Sequence, residues 1–303
     1  MSRICDHHYQ MQKENNPLAE VFGHLTSDSS PKAQRFRKNK LCPFNNKVPS
    51  CTKDKAKKPL GVCSVNTASG PVITCPIRFR EDWLITDDAA DFFFPENATW
   101  TSLTEVRLPD AEGRSAGNID VVLVAYDEVG QVYDFGSLEI QAVYISGNIR
   151  DPFERYISNT VKYANLDWSA ESNYPRPDFL SSSRKRLAPQ LLFKGGILDA
   201  WGKKMAVALD SHFFSTLPKL EEVCQSDADV AWLIYDLVLD PKSTGYNLTK
   251  SRVIYTRFSD ALNTITRPKV GDVGQFIGLL QSKVDDKLES APINKTLSSP
   301  FDD

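Results

Sequence analysis

The sequence predicts an α/β (α+β) domain, a mixed sheet flanked by helices, behind a basic N-terminal segment that carries cysteines. Three observations predict it. Strand-like and helix-like stretches follow one another without being segregated or strictly alternating. Two β-branched runs, 119–126 and 136–145, flank the turn signal Asp127-Glu128-Val129-Gly130 and read as an antiparallel hairpin. Ahead of them, residues 32–58 hold ten Lys or Arg against one acid, Asp54, with few apolar residues to build a core.

Residues 1–16 read as an N-terminal arm. It lacks the apolar stretch of a signal peptide, so a cytoplasmic chain is expected. Cys5 beside His7 and His8 reads there as a frayed end rather than a ligand set. Residues 17–76 form the basic region, with Cys42, Cys51, Cys63 and Cys75 in or just after the charge run. A segment that cannot build a core needs a staple, and in a reducing compartment a metal is favoured over disulfides. The plain alternative for the charge run is a solvated face.

Residues 77–290 have the texture of a packed domain. Residues 79–94 carry apolar side chains at helical spacing and stop at Pro95, and 100–108 alternate as a strand. After the hairpin, 151–165 read as an amphipathic helix, 170–187 as a Pro/Ser-rich loop feeding a basic cluster, and 188–210 as helix interrupted at Gly195-Gly196. Residues 229–240 read as a fully buried strand, 252–258 as another, and a helix near 272–289 closes the fold. Cys224 reads as a small packed apolar group. Residues 291–303 form a polar, flexible C-terminal tail. No apolar run reaches the ~20 residues a bilayer span needs, so no membrane partner is expected. The net charge of -3 does not by itself advertise a nucleic-acid binder, but it averages over a very uneven distribution.

The most informative residues are acidic. Asp120 stands at the start of an apolar strand, and Glu139 and Gln141 are two apart on the next, so both point to one face while Leu138, Ile140 and Ala142 point to the other. A hairpin can set Asp120 beside that pair. Two carboxylates in an apolar sheet repel each other and stay ionised only around a cation, for which a hard divalent ion such as Mg²⁺ fits. Such an ion can lower the pKa of bound water and stabilise charge on a reacting phosphate. The plain alternative is a capping Asp120 and a solvent-facing Glu139. Glu105, in Leu103-Thr104-Glu105-Val106 on the preceding strand, could extend the cluster or lie at the surface.

An acid on one strand followed by Glu-x-Gln on the next resembles the PD-(D/E)xK nuclease fold with glutamine in place of lysine. Leu41-Cys42-Pro43-Phe44-Asn45-Asn46, Cys51-Thr52-Lys53-Asp54 and Pro59-Leu60-Gly61-Val62-Cys63-Ser64 add to this, as does Ser181-Ser182-Ser183-Arg184-Lys185-Arg186. Together, from about residue 17 to 280, they resemble the NotI-type restriction endonucleases. The resemblance implies a homodimeric type II enzyme that cuts palindromic GC-rich DNA with Mg²⁺ and works alongside a cognate DNA methyltransferase. It implies Asp120 and Glu139 as metal ligands, Gln141 orienting the attacking water or a ligand, and Glu105 assisting. It also implies a structural ion, iron or zinc, on Cys42, Cys51, Cys63 and Cys75. Their intervals of 8, 11 and 11 residues contain no Cys-x-x-Cys knuckle, and thiolates suit either metal. The general base is left open, because an amide takes no proton usefully near neutral pH.

For double-stranded DNA as partner, Arg184 and Arg186 are the preferred guanine readers, and Arg176 belongs to the same basic stretch. Lys185 and Lys194 are expected on phosphates. Ordinary helix-surface charges are the plain alternative for each. Two other functions share most of these features: a metal-stapled DNA-binding protein without catalysis, and a nuclease of the same fold with low sequence specificity.

Overall fold

A computed structural model of the chain describes residues 16–45, 47–55, 57–165, 167–240 and 245–290. Cys5, His7, His8 and the tail 291–303 lie outside the described residues. The chain divides into two units, Met1–Thr266 and Arg267–Asp303.

The first unit begins with strands that the sequence pattern did not announce. These are β1 (Leu18–Val21), β2 (His24–Leu25), β3 (Asp54–Lys55), β4 (Lys58–Pro59), β5 (Val62–Thr67) and β6 (Gly70–Ile73). Four of them form a small antiparallel sheet in the order β2-β1-β5-β6. Helix α1 (Pro31–Asn39) lies between β2 and β3. Ser30 caps it, its hydroxyl accepting from the Ala33 amide at 3.2 Å, and Pro31 opens it at a position where no amide hydrogen is needed.

The expected helix over 79–94 arrives in two pieces, a 3₁₀ segment Pro76–Trp83 and helix α2 (Leu84–Phe93). Asp82 sits at φ 49 and Glu81 at ψ 120, which breaks the helical path between them. Next come β7 (Trp100–Pro109), β8 (Ser115–Tyr126) and β9 (Val132–Gln141), all antiparallel neighbours. The predicted hairpin is there, its second strand running 132–141 rather than 136–145. The Gly130 amide donates to the Asp127 carbonyl at 2.9 Å to close the turn. Strand β10 (Tyr144–Ser146) pairs with β11 (Arg176–Asp178), and between them helix α3 (Arg150–Ser158) ends seven residues earlier than expected.

Residues 170–187 do not remain a loop. From Phe179 the chain winds to Ala200 as one helical stretch, α4 (residues 179–200), with wide π-type turns at Ser183–Leu187 and Leu191–Gly195. The Asp178 carboxylate caps it by accepting the Ser181 amide at 2.9 Å. Pro189 has no amide hydrogen to give and its ring crowds the preceding turn, which the widened turns on either side accommodate. Gly195-Gly196 pass through the helix instead of breaking it. At Gly195 a Cβ would meet the Phe258 ring at 2.5 Å, so the missing side chain permits close packing rather than a turn.

The helix expected over 188–210 therefore stops at Ala200, and its last six residues are strand β12 (Met205–Asp210). Every residue of β12 is buried, because it lies between two parallel neighbours, β9 and β13 (Val230–Leu239). A short run that is apolar from Met205 to Leu209 has no periodicity that separates strand from helix. After β12 come the short helix α5 (Ser211–Ser215), β13, β14 (Tyr246–Thr256) and α6 (Phe258–Thr266). The main sheet is mixed, in the order β14-β13-β12-β9-β8-β7. Cys224 is exposed rather than packed, since it falls just before the 3₁₀ turn Gln225–Asp227 in a connection outside the sheet.

Two cores cover the two faces of this sheet. Leu138, Ile140, Ala206, Ala208 and Leu233 face α2 through Ile85, Phe92 and Phe93. Val207, Leu209, Trp232 and Ile234 face the small sheet and α4 through Val62, Val65, Leu187 and Leu191. Strand alternation thus sends Glu139 and Gln141 to the α4 side.

A buried ion pair ties the small sheet to the large one. Arg78 is fully buried. Its Nε donates to both Glu20 oxygens at 3.1 Å, Nη1 to Glu81 at 2.9 Å and Nη2 to the Tyr246 carbonyl at 2.8 Å. Glu20 also accepts the Ser64 hydroxyl at 2.8 Å.

The second unit contains helix α7 (Val273–Ser290), with Val273, Ile277, Leu280, Val284 and Leu288 at helical spacing. Among the described residues no helix is long and apolar enough to cross a membrane.

Candidate active site

The β8–β9 ladder shifts register once, between Tyr126 and Ala125, and then runs from Ala125↔Asp134 to Val121↔Leu138, and one further step sets Asp120 opposite Glu139. The ladder gives way there because the Ile140 amide donates to the Asp120 carboxylate at 2.9 Å rather than to a backbone carbonyl. Asp120 is half-buried and Glu139 fully buried. The two charges interact. Burial first, and the Asp120 carboxylate second, push Glu139 up to about 8, while Lys194 and Arg186 oppose the shift.

The partner of Glu139 comes from α4. Lys194 Nζ donates to its two oxygens at 2.9 and 2.8 Å and to the Asn118 carbonyl at 2.6 Å, and only 6% of the lysine is exposed. One layer along, Gln141 donates its amide to Gln190, and among the described residues its own buried Oε1 has no partner. Arg186 donates to the Ile140 carbonyl at 3.3 Å. Strand residues two apart are ~6.6 Å apart and helix residues four apart ~6 Å, so Glu139 and Gln141 match Lys194 and Gln190 running the opposite way.

Glu105 stands opposite Asp120 in the β7–β8 register, between Thr104↔Val121 and Val106↔Ile119. Its backbone is left-handed (φ 59), an uncommon state for a non-glycine residue inside a strand. The side chain lies exposed and reaches Lys47 at 3.5 Å. The structure thus brings Asp120, Glu139 and Gln141 together and leaves Glu105 at the rim. Two carboxylates and an unpartnered amide oxygen are the donor type a hard divalent cation takes.

The family profile described as Restriction endonuclease NotI matches residues 26–248. The chain belongs to the NotI restriction endonuclease family. No curated protein matches the sequence. Membership makes the chain a sequence-specific restriction endonuclease, a site-specific deoxyribonuclease whose substrate is DNA.

Of the basic residues expected at DNA, Arg176, Arg184 and Lys185 are exposed, Arg176 with its guanidinium 5.9 Å from the Tyr174 ring. Arg186 and Lys194 are turned inward onto β9, because they lie eight residues apart on the buried stripe of α4. Sequence reading missed the Glu139–Lys194 and Gln141–Gln190 pairs. The signal was present in the spacing of Arg186, Gln190 and Lys194, but only if 179–200 is taken as a helix.

Cys42, Cys51, Cys63 and Cys75 are free thiols that feel one another's charge. Burial pushes Cys42 up to about 11 and raises Cys51 and Cys63 as well. Lys53 lies beside them, its ammonium donating to the carbonyls of Val62 at 2.6 Å and Thr74 at 3.0 Å. Among the described residues, no three Cys, His, Asp or Glu side chains come together as a metal-holding group. The four cysteines are neighbours here without forming the expected four-thiolate ligand set.

Proposed function

We propose that this endonuclease is a Mg²⁺-dependent type II enzyme of PD-(D/E)xK type, acting as a homodimer on both strands of a short, GC-rich palindrome. The observation that carries the reading is the pairing of Asp120 with Glu139 across adjacent strands, with Gln141 next in line on the same face.

Asp120 and Glu139 would hold the divalent ion. When bound, it would supply a charge that polarises water and stabilises the phosphate under attack. Gln141, with its free Oε1 and its Nε2 fixed by Gln190, would orient the attacking water through a hydrogen bond. It takes no proton, so the water's proton passes to solvent or to a phosphate oxygen of the DNA. Two copies related by a two-fold axis would present one such centre to each strand of a palindrome. A cognate methyltransferase would protect the host's own sites.

Incubating plasmid with the protein and Mg²⁺ tests the reading. Discrete fragments with both strands cut are expected. Retardation without cutting would point to a binding protein, and a smear to a nuclease of low specificity.

Arg184 and Lys185 separate recognition from attachment. Lys185→Ala is expected to weaken binding to all sequences alike and to lower the salt slope of log K by about 1. Arg184→Ala is expected to cost about 1–3 kcal/mol on the cognate site and to relax one base position. Filter binding across a salt series, on cognate and mismatched fragments, reads both. Equal behaviour of the two variants would refute the division of labour.

The ion expected on the four cysteines enters the reading as a proposal too. Gathering the four neighbouring thiols onto one iron or zinc would cross-link the segment 42–75 at four points. About one Fe or Zn per chain is the expected result of metal analysis, lost in Cys63→Ser. Wild-type protein without either metal would leave the cysteines as packing groups.

A further inference from the structure

The proposed cleavage centre has an unusual charge balance. The strand that carries Glu139 offers at the next inward position an amide, Gln141, and the helix residue facing that amide is again neutral, Gln190. The cation comes from elsewhere. Lys194 lies 55 residues from Glu139 in sequence, yet grips both of its oxygens and spends its third donor on the Asn118 carbonyl.

The site is shaped around this lysine. Gly117, at φ 121, underlies the side chain, and a Cβ there would come within 3.2 Å of Lys194 Cε. A side chain at Gly117 would be strained by its backbone and would crowd the ammonium's stem. Lys194 leaves α4 within a π-type turn, Leu191–Gly195, of the kind that recurs at functional sites. A buried ion pair is often no more stabilising than apolar residues of the same volume, so its presence here is poorly explained by stability alone. The lysine's carboxylate partner, Glu139, stands opposite Asp120, the other acid of the proposed cleavage centre.

We infer that Lys194 is a catalytic residue of the cleavage centre, an ammonium delivered from helix α4 to the scissile phosphate in place of one on the Glu139 strand. The inference rests on the reading of Asp120 and Glu139 as that centre. In the DNA-free protein the ammonium holds Glu139. With DNA bound, Glu139 would be a ligand to the divalent ion, and the flexible four-carbon stem of the released Lys194 would let Nζ reach a non-bridging phosphate oxygen. There it offsets charge that builds as the water oxygen bonds to phosphorus and the bond to the leaving ester oxygen breaks with its electron pair. The water's proton goes to solvent, the leaving oxygen takes one from solvent, and Lys194 keeps its own throughout.

The test compares Lys194→Met, the double variant Lys194→Met/Gln141→Lys, and Glu139→Ala. Single-turnover cutting of plasmid with Mg²⁺ is measured beside thermal melts, and Ca²⁺ binding to the DNA-free protein by calorimetry. Lys194→Met is expected to cut at least ~100-fold slower, the loss typical of one removed transition-state donor. The double variant, which returns an ammonium from the strand, is expected to regain at least ~10-fold. Ca²⁺ is expected to bind more tightly to Lys194→Met than to wild type, because the ion no longer competes with a tethered ammonium. Wild-type cutting by Lys194→Met overturns the inference, as does a folded double variant with no gain over the single one, or unchanged Ca²⁺ affinity. If Lys194→Met melts early, the double variant decides by its own rate against wild type, about a tenth or more in support and none against. Full activity in Glu139→Ala would instead remove the centre itself, whatever Lys194 does.

Discussion

Asp120→Asn is expected to lose cleavage by about 10³-fold or more while the protein stays folded and still binds DNA. The substitution keeps an oxygen that can accept the Ile140 amide, so the local end of the β8–β9 ladder is preserved. What it removes is a charge. A carboxylate that helps hold a divalent ion is worth several kcal/mol in the transition state, and each 1.36 kcal/mol is about tenfold in rate. Binding is expected to hold or tighten slightly, because one negative charge no longer faces the phosphates. This makes Asp120 a cleaner probe than Glu139, whose removal strands the buried Lys194 ammonium and adds a folding penalty. Single-turnover digestion with Mg²⁺ and gel retardation with Ca²⁺ provide the two readouts. Undiminished cutting, or loss of binding by a folded variant, would overturn the assignment.

Arg78→Met is expected to destabilise the protein by about 3–5 kcal/mol, the range for breaking a buried ion pair by removing one partner. Methionine fills much of the volume but takes the guanidinium from the fully buried Glu20, which keeps the Ser64 hydroxyl, and from the Tyr246 carbonyl. The cost falls where the small sheet meets β14, so loosening there disturbs the cysteine-bearing segment before it reaches β8 and β9. Urea denaturation followed by fluorescence measures it. A loss below about 1 kcal/mol would mean that the pair contributes no more than an exposed one.

The strands of the main sheet were largely legible. Residues 119–126 and 229–240 are rich in β-branched and aromatic residues, bounded by turn residues, and they became β8 and β13 nearly as read. Strand β12 was not legible, because its first five residues, 205–209, are apolar on both faces and carry no alternation. Helix α4 was hidden by the serines, Pro189 and Gly195-Gly196, local breakers that are overridden by tertiary packing of its Leu187 and Leu191 into the core and of Gly195 against Phe258. In the site, the hairpin brings Asp120 near Glu139, but their direct opposition depends on a one-residue register shift between Ala125 and Tyr126 that the turn does not encode. Lys194 was not legible. Its contact with Glu139 is set by how a helix lies on a sheet, and no local pattern encodes that.

The near match between the strand's two-residue step and the helix's four-residue step makes α4 intolerant of length change. One residue inserted between Gln190 and Lys194 would swing everything beyond it by about 100° around the helix axis. Lys194 would then fall where Gly195 packs against the Phe258 ring, and the residue before it would meet Glu139, with no change to either side chain. The same insertion among the exposed residues of the β7–β8 connection near Gly113 would meet open space. Relatives that vary in length should therefore do so in that connection, and keep the count from Arg186 to Lys194 fixed.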